Sequence, residues 1–143
     1  MKDSWIIPCN IKYFNVIEHF KKQNTVVWKN SFTMKEGDTA YLYLSQPYGE
    51  IKYKCTVVSN QVSEELLQKN SYAIVTKQSN NYFSKKPKYV ELQLIGEYPT
   101  GKLTFEHLKA HGVGQFQIQA RIPYQLKPLL EITESELIYR GDK

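Results

Sequence analysis

This chain of 143 residues is short of cysteine, of glycine motifs and of long apolar runs, and each shortage closes off a class of protein. Its two cysteines, Cys9 and Cys55, are too few for a disulfide framework and sit in strand-like segments, so buried free thiols are expected. No apolar stretch approaches the ~20 residues of a membrane-spanning helix, so no membrane partner is expected. The opening Met-Lys-Asp-Ser-Trp lacks the apolar core of a secretion signal, so the expectation is a cytoplasmic protein. There is no glycine-rich phosphate loop, no Gly-x-Ser-x-Gly and no Cys-x-x-Cys, which removes the commonest nucleotide-hydrolysing, serine-nucleophile and redox signatures.

What is present is the composition of a single globular domain over 1–143, 41% hydrophobic and 23% charged. The open-ended Arg-Gly-Asp-Lys terminus suits the N-terminal module of a longer polypeptide. A net charge of +5 leans toward a polyanionic partner. Eleven tyrosines and two tryptophans lie among the lysines, a mixture that serves base stacking and β-cores alike.

The organising stretch begins at Trp28 and leads through Lys29-Asn30-Ser31 to Gly37-Asp38. A Gly-Asp pair ahead of a β-rich run predicts a tight turn, because glycine tolerates positive φ and aspartate bonds nearby backbone. After it, Ala40, Leu42 and Leu44 alternate with Tyr41, Tyr43 and Ser45, the period of a strand that closes on Ser45-Gln46-Pro47. Tyr48-Gly49-Glu50 then turns the chain, and Ile51, Tyr53, Cys55 and Val57 alternate with Lys52, Lys54 and Thr56, predicting a hairpin of 39–45 with 51–59.

Upstream, residues 4–8 read as a first strand stopped by Pro8. A short helix follows, capped by Asn15 with Glu18 reaching back and with Tyr13, Ile17 and Phe20 on one face. Thr25-Val26-Val27 returns as strand into Trp28. Downstream, 63–70 reads as a second helix, and the polar, basic span 77–88 as a mobile loop with Tyr82-Phe83 at its tip. Val90, Leu92 and Leu94 mark another strand, Thr104 caps a helix that Gly112 ends, 115–121 alternates as a last strand, and 123–143 supplies a closing helical turn. Strands and short helices in no regular alternation predict an α+β fold, a small mixed β pseudo-barrel of five to six strands surrounded by short helices.

Catalytic chemistry finds little support. His107 and His111 stand four apart on a helix, which is metal-ligand spacing, but no glutamate lies between them as in His-Glu-x-x-His and no third ligand is indicated. They are read as solvent-facing or capping, and no metal or cofactor is expected. Glu18, Glu64, Glu65, Glu106 and Glu134 fall in helix first turns or on polar faces, and Asp38 in a turn, so no acid–base pair stands out. The expectation is a binding module, with any nuclease activity in an attached domain. Lys12, Lys21, Lys22, Lys29 and Lys35 gather in the N-terminal half and Lys77, Lys85, Lys86 and Lys88 around the 77–88 loop. They form either a solvated face or a phosphate-binding one.

Trp5 in a first strand, Asn10 after it, Trp28 with Asn30-Ser31, Gly37-Asp38 and a strand ending in Ser45 together resemble the EVE domain. That domain belongs to the PUA-like superfamily, which also holds the YTH and ASCH domains. The resemblance spans residues 4–130; Leu44 stands where the family places a histidine, and Arg121-Ile122-Pro123-Tyr124 occupies the late Arg-Leu-Ser-Val position. It implies a pseudo-barrel that takes a modified base, 5-methyl- or 5-hydroxymethylcytosine in DNA, out of its strand into an aromatic cage. It further implies the recognition role of a modification-dependent restriction system, fused to a nuclease.

On that resemblance Trp28 supplies one cage face and Trp5 or Tyr82 the other. Asn10, Asn30, Ser31, Ser45 and Gln46 are candidates for reading the base edge, Gln119 and Arg121 for that or for holding the backbone, and Lys29, Lys85, Lys86 and Lys88 for phosphates. Each has an ordinary alternative: core for the tryptophans, turn or strand-end for the polar residues. Two other functions stay open, a PUA-like RNA-binding module reading structured or methylated RNA, and a protein-interaction or small-ligand domain.

Overall fold

The structure, a computed structural model, describes residues 2–29, 33–62, 89–112 and 120–140. The expected helix at 63–70 and loop at 77–88 lie outside them. The sheet is built from the Gly37-Asp38 turn outward. Gly37 has φ +94°, where a side chain is strained, and its N–H donates to the Val57 carbonyl at 2.8 Å. The chain then runs as β3 (Thr39–Leu44), turns through 45–48 and returns as β4 (Glu50–Ser59), the hairpin that the alternation predicts.

A bulge makes the hairpin serve two cores. The register slips between Leu42 and Tyr43, so that Leu42 faces Tyr53 while Tyr43 faces Ile51. The extra residue reverses the alternation. Tyr53, Cys55 and Val57 therefore join one core cluster, whereas Ile51, expected on their face, joins the other.

β1 (Ser4–Cys9) lies parallel to β3, with Trp5 beside Ala40. The strand passes through Pro8 rather than stopping there. β6 (Ala120–Arg121) pairs only with Trp5 and Ile6, so among the described residues Pro8 faces no strand on that side and its missing N–H breaks no ladder. α1 (Val16–Lys22) is capped as expected, the Asn15 side chain accepting the Glu18 N–H at 3.2 Å. The Glu18 carboxylate, however, pairs with Lys21 at 3.0 Å. The helix buries Val16 and Phe20 with Ile17 packed beside them, whereas Tyr13, expected on the same face, precedes the helix and is 73% exposed.

β2 (Thr25–Lys29) pairs antiparallel with β5 (Tyr89–Glu97), which pairs in turn with β4. α2 (Phe105–Ala110) is capped by Thr104. Of the strand expected at 115–121 only β6 is described. The tail gives a 3-10 turn (Tyr124–Leu126), α3 (Lys127–Thr133), a second 3-10 turn (Glu134–Glu136) and β7 (Ile138–Tyr139). Patterning did not reveal β7, which pairs with β5 beside Gly96, where a Cβ would meet the Ile138 carbonyl oxygen at 2.6 Å.

The order among the described strands is β2-β5-β4-β3-β1-β6, with β7 beside β5. This mixed sheet curls into a half-barrel carrying a few short helices. One face buries Trp5, Ile7, Leu42, Leu44, Val57, Leu92 and Leu94 under α1. The opposite face buries Ile6, Tyr41, Tyr43, Ile51 and Tyr98 against Leu108 of α2 and Leu126 and Leu130 of the tail. Each such apolar side chain contributes about 1.5–3 kcal/mol of burial, so both faces stabilise the sheet. Cys9 and Cys55 are free and buried as expected, and loss of water pushes the Cys9 thiol up to about 12.

Candidate base-binding site

β2 and β1 lie toward opposite ends of the order of the described strands. Trp28 stands on β2, partly buried and packed against the core beneath α1. The segment 10–15 crosses from β1 to α1 beside it. There Phe14 meets Trp28 edge-on, ring centroids 5.8 Å apart at 72°. The ring series runs inward from Phe14 to His19 at 5.4 Å, His19 to Phe20 at 5.8 Å and Phe20 to Tyr53 at 4.9 Å. T-shaped pairs of this kind fix ring orientation as well as adding burial.

Local chemistry explains why Phe14 is there. It directly precedes the cap residue Asn15, and His19 is the fourth residue of α1, so their contact is a hydrophobic staple that sets the entry angle of the helix. His19 Nε2 lies 2.7 Å from the Thr25 carbonyl oxygen, tying α1 to the start of β2. The Asn10 carbonyl accepts the N–H groups of Tyr13 and Phe14 at 3.0 and 3.1 Å, and its side chain accepts that of Lys12 at 3.0 Å. The Ser45 N–H donates to the Cys9 carbonyl at 3.0 Å. Asn10 and Ser45 thus meet where the parallel β1 and β3 end, on the backbone that carries Phe14. Gln46 follows in the exposed turn.

Trp5 has another setting. It is 2% exposed, a core residue, and its Nε1–H donates to Asp38 Oδ2 at 2.9 Å. Arg121 lies over the ring, with Cζ 5.0 Å from the centroid, and its guanidinium is 3.6 Å from Asp3. The second cage face expected at Trp5 is therefore closed in this structure: the ring's edge is bonded, one face is covered by a cation and the rest is packed. Trp5 and Cys9 are four residues apart on one strand, about 13 Å, so Arg121 sits at the far end of β1 from Asn10 and Ser45.

Asp38, expected merely to serve its turn, is fully buried. Its carboxylate accepts from the Asp3 N–H at 3.0 Å, the Lys35 N–H at 3.1 Å and the Trp5 indole. Burial pushes its pKa up, but these bonds and the Lys35 charge outweigh that and hold it below the usual carboxylate range. Lys29, beside Trp28, has its pKa lowered by burial.

Asn30, Ser31, Tyr82, Lys85, Lys86, Lys88 and Gln119 lie outside the described residues. His107 and His111 are exposed. Thr104 Oγ1 accepts the His107 N–H at 3.3 Å, and His111 Nδ1 lies 2.9 Å from the His107 carbonyl. Among the described residues no three histidine, cysteine or acidic groups gather as metal ligands, and no helix is long and apolar enough to cross a membrane.

This arrangement of strands and short helices is the PUA-like fold. Solved structures share it across nearly the whole chain. A hypothetical protein from Leishmania major matches with a TM-score of 0.63 at 16% identity, covering 94% of this chain and 96% of that one. The human THYN1 protein in complex with DNA containing 5-methylcytosine matches with a TM-score of 0.59 at 13% identity, covering 93% and 98%. An ASCH protein from Zymomonas mobilis matches with a TM-score of 0.57 at 13% identity, covering 91% and 94%. No protein-family model matches the sequence, and no curated protein does.

Proposed function

We propose that this domain binds nucleic acid and reads a modified base, 5-methyl- or 5-hydroxymethylcytosine in DNA, by stacking the everted base on Trp28. The observation that carries this reading is the partly buried Trp28 on β2, held edge-on by Phe14. The shared fold with the human THYN1 protein, solved on DNA containing 5-methylcytosine, supports it, as does the net charge of +5. The EVE resemblance supports a recognition module working beside a nuclease in a modification-dependent restriction system.

Energetically, extruding a base costs a few kcal/mol and each stacked aromatic face returns about 1–3 kcal/mol. Trp28 alone does not cover extrusion, so edge contacts and phosphate contacts supply the net affinity. Asn10, whose carbonyl accepts the Phe14 N–H, and Ser45, whose N–H donates to the Cys9 carbonyl, are the described candidates for the base edge. The exposed Lys12 and Lys22, with Lys29 beside Trp28, are the described candidates for phosphates. Three or four phosphate contacts give a log–log salt slope of about −3. One methyl contributes only about 1 kcal/mol, so discrimination between modified and plain cytosine is modest.

The test is fluorescence anisotropy with duplexes carrying cytosine, 5-methylcytosine or 5-hydroxymethylcytosine, run beside modified and plain RNA. A preference for a modified duplex that Trp28→Ala abolishes, with weak salt-dependent binding left over, is the expected result. Preference for RNA would make the domain an RNA reader. Equal loss of both binding modes in Trp28→Ala, or of neither, would remove Trp28 from the site.

A further inference from the structure

The opposite face of the sheet carries a cavity away from Trp28. It has a volume of about 330 Å³ and is lined by Tyr41 of β3, Lys54 of β4, and Leu130, Glu131 and Glu134 from α3 and the turn after it. Lys54 Nζ donates to Glu134 Oε2 at 2.9 Å. Burial lowers the Lys54 pKa, but this bond and the neighbouring Tyr41 and Glu134 outweigh it, and the ammonium is held above its ordinary value. Behind Tyr41 lies Tyr98, fully buried, with its hydroxyl near that of Tyr41 and near the Glu134 carboxylate.

The charges decide what fits. Glu134 answers the only ammonium in the lining, so that charge is not open to an anion. Glu131 has no ion pair among the described residues and stands on the same wall. The remaining lining is the Tyr41 ring and the Leu130 side chain. A solvent-facing carboxylate with no ion pair among the described residues, an aromatic ring and an aliphatic wall together match an alkylammonium group: the carboxylate takes the charge, the ring adds a cation–π contact and leucine packs the methylenes. The exposed Tyr139 of β7 places its hydroxyl 3.5 Å from Glu134.

We propose that this cavity is a binding site for an alkylammonium group, supplied by a free amine or by the lysine side chain of a peptide, with Glu131 as its counter-ion. The site does not depend on the reading of Trp28, and its test is separate. Amide chemical shifts of Tyr41, Leu130 and Glu131 are followed by NMR while the protein is titrated with n-butylammonium, with n-butanol, and with a capped Gly-Lys-Gly peptide and its Nε-acetylated form. Shifts confined to these residues with the charged probes, absent with the neutral ones and weakened at least fivefold by Glu131→Gln, are the expected result. Binding of the lysine peptide as well as the amine assigns a peptide ligand; binding of the amine alone assigns a small molecule. Glu131 is exposed on a helix, so the variant keeps its circular dichroism spectrum. Absence of shifts at millimolar probe, equal response to charged and neutral probes, or binding unchanged in Glu131→Gln overturns the proposal.

Discussion

Trp5 and Trp28 both pack on the same face of the sheet, yet they are enclosed to different degrees. Trp5 lies on an inner strand, between β3 and β6, with its indole N–H bonded to a buried carboxylate and a guanidinium over its ring. Trp28 lies on β2, at the end of the order of described strands, partly buried against the same core and met edge-on by Phe14. An indole becomes fully buried when both neighbouring strands and a hydrogen-bond partner enclose it. On an end strand it is enclosed less, as the partial burial of Trp28 shows. Position in the sheet, not residue type, separates the two.

The strongest way to break this comparison is Trp5→Ala. Truncating a fully packed aromatic costs about 3–5 kcal/mol, and here it also leaves Asp38 without one of its donors. Urea unfolding should show a midpoint far below that of the wild type; a cost under about 1 kcal/mol would contradict the core role of Trp5.

Asp38→Asn comes next, at about 2–3 kcal/mol, because the amide presents one acceptor oxygen where the carboxylate presents two. This variant also carries a pH signature. The folded pKa of Asp38 lies below its unfolded value, so its stabilisation is complete above the ordinary carboxylate range and disappears as pH falls through the folded value. Wild-type stability should therefore drop on acidification below about pH 4, and Asp38→Asn should lack that component of the drop. Parallel acid branches in urea unfolding at successive pH values would refute the assignment.

Trp28→Ala sharpens the contrast from the other side. It should cost about 1–2 kcal/mol of stability, less than Trp5→Ala, since less area leaves water when Trp28 packs. Its main effect should fall on binding, with the modified-base preference gone. Phe14→Ala should weaken that preference while leaving the Trp5 end unchanged, by removing the staple to His19 as well as the edge contact to Trp28. The smallest effect is expected for Arg121→Ala, about 0.5–1 kcal/mol, because its side chain is 64% exposed and both the cation–π contact and the Asp3 pair face solvent. A larger stability loss would mean that the guanidinium, rather than Asp38, holds Trp5 in place.

Much of the fold was legible from local signals. The Gly37-Asp38 turn, the β3–β4 hairpin, the strand through Val90, Leu92 and Leu94, and the caps Asn15 and Thr104 stand where alternation and cap chemistry put them. The misses were of one kind. Pro8 reads as a stop only if its strand is paired there on both sides, and Ile51 shares a face with Tyr53 only if no bulge intervenes. At the site, Trp28 stood out but Phe14 did not, although an aromatic immediately before a cap residue is a staple signature.

Sequence alone determined the local conformations: which residues turn, which alternate, where helices begin, and that the chain carries buried thiols and an excess of positive charge. These follow from backbone sterics, side-chain period and short-range hydrogen bonds, all acting over a few residues. Only the tertiary structure decided that Asp38 is interior, that Arg121 covers Trp5, that Phe14 meets Trp28, and that Lys54, Tyr41 and Glu131 share a cavity. Those outcomes depend on strand order and on the curl of the sheet, which join residues up to 116 positions apart in the case of Trp5 and Arg121. No local pattern encodes such a contact, because its energy exists only after the strands between have paired.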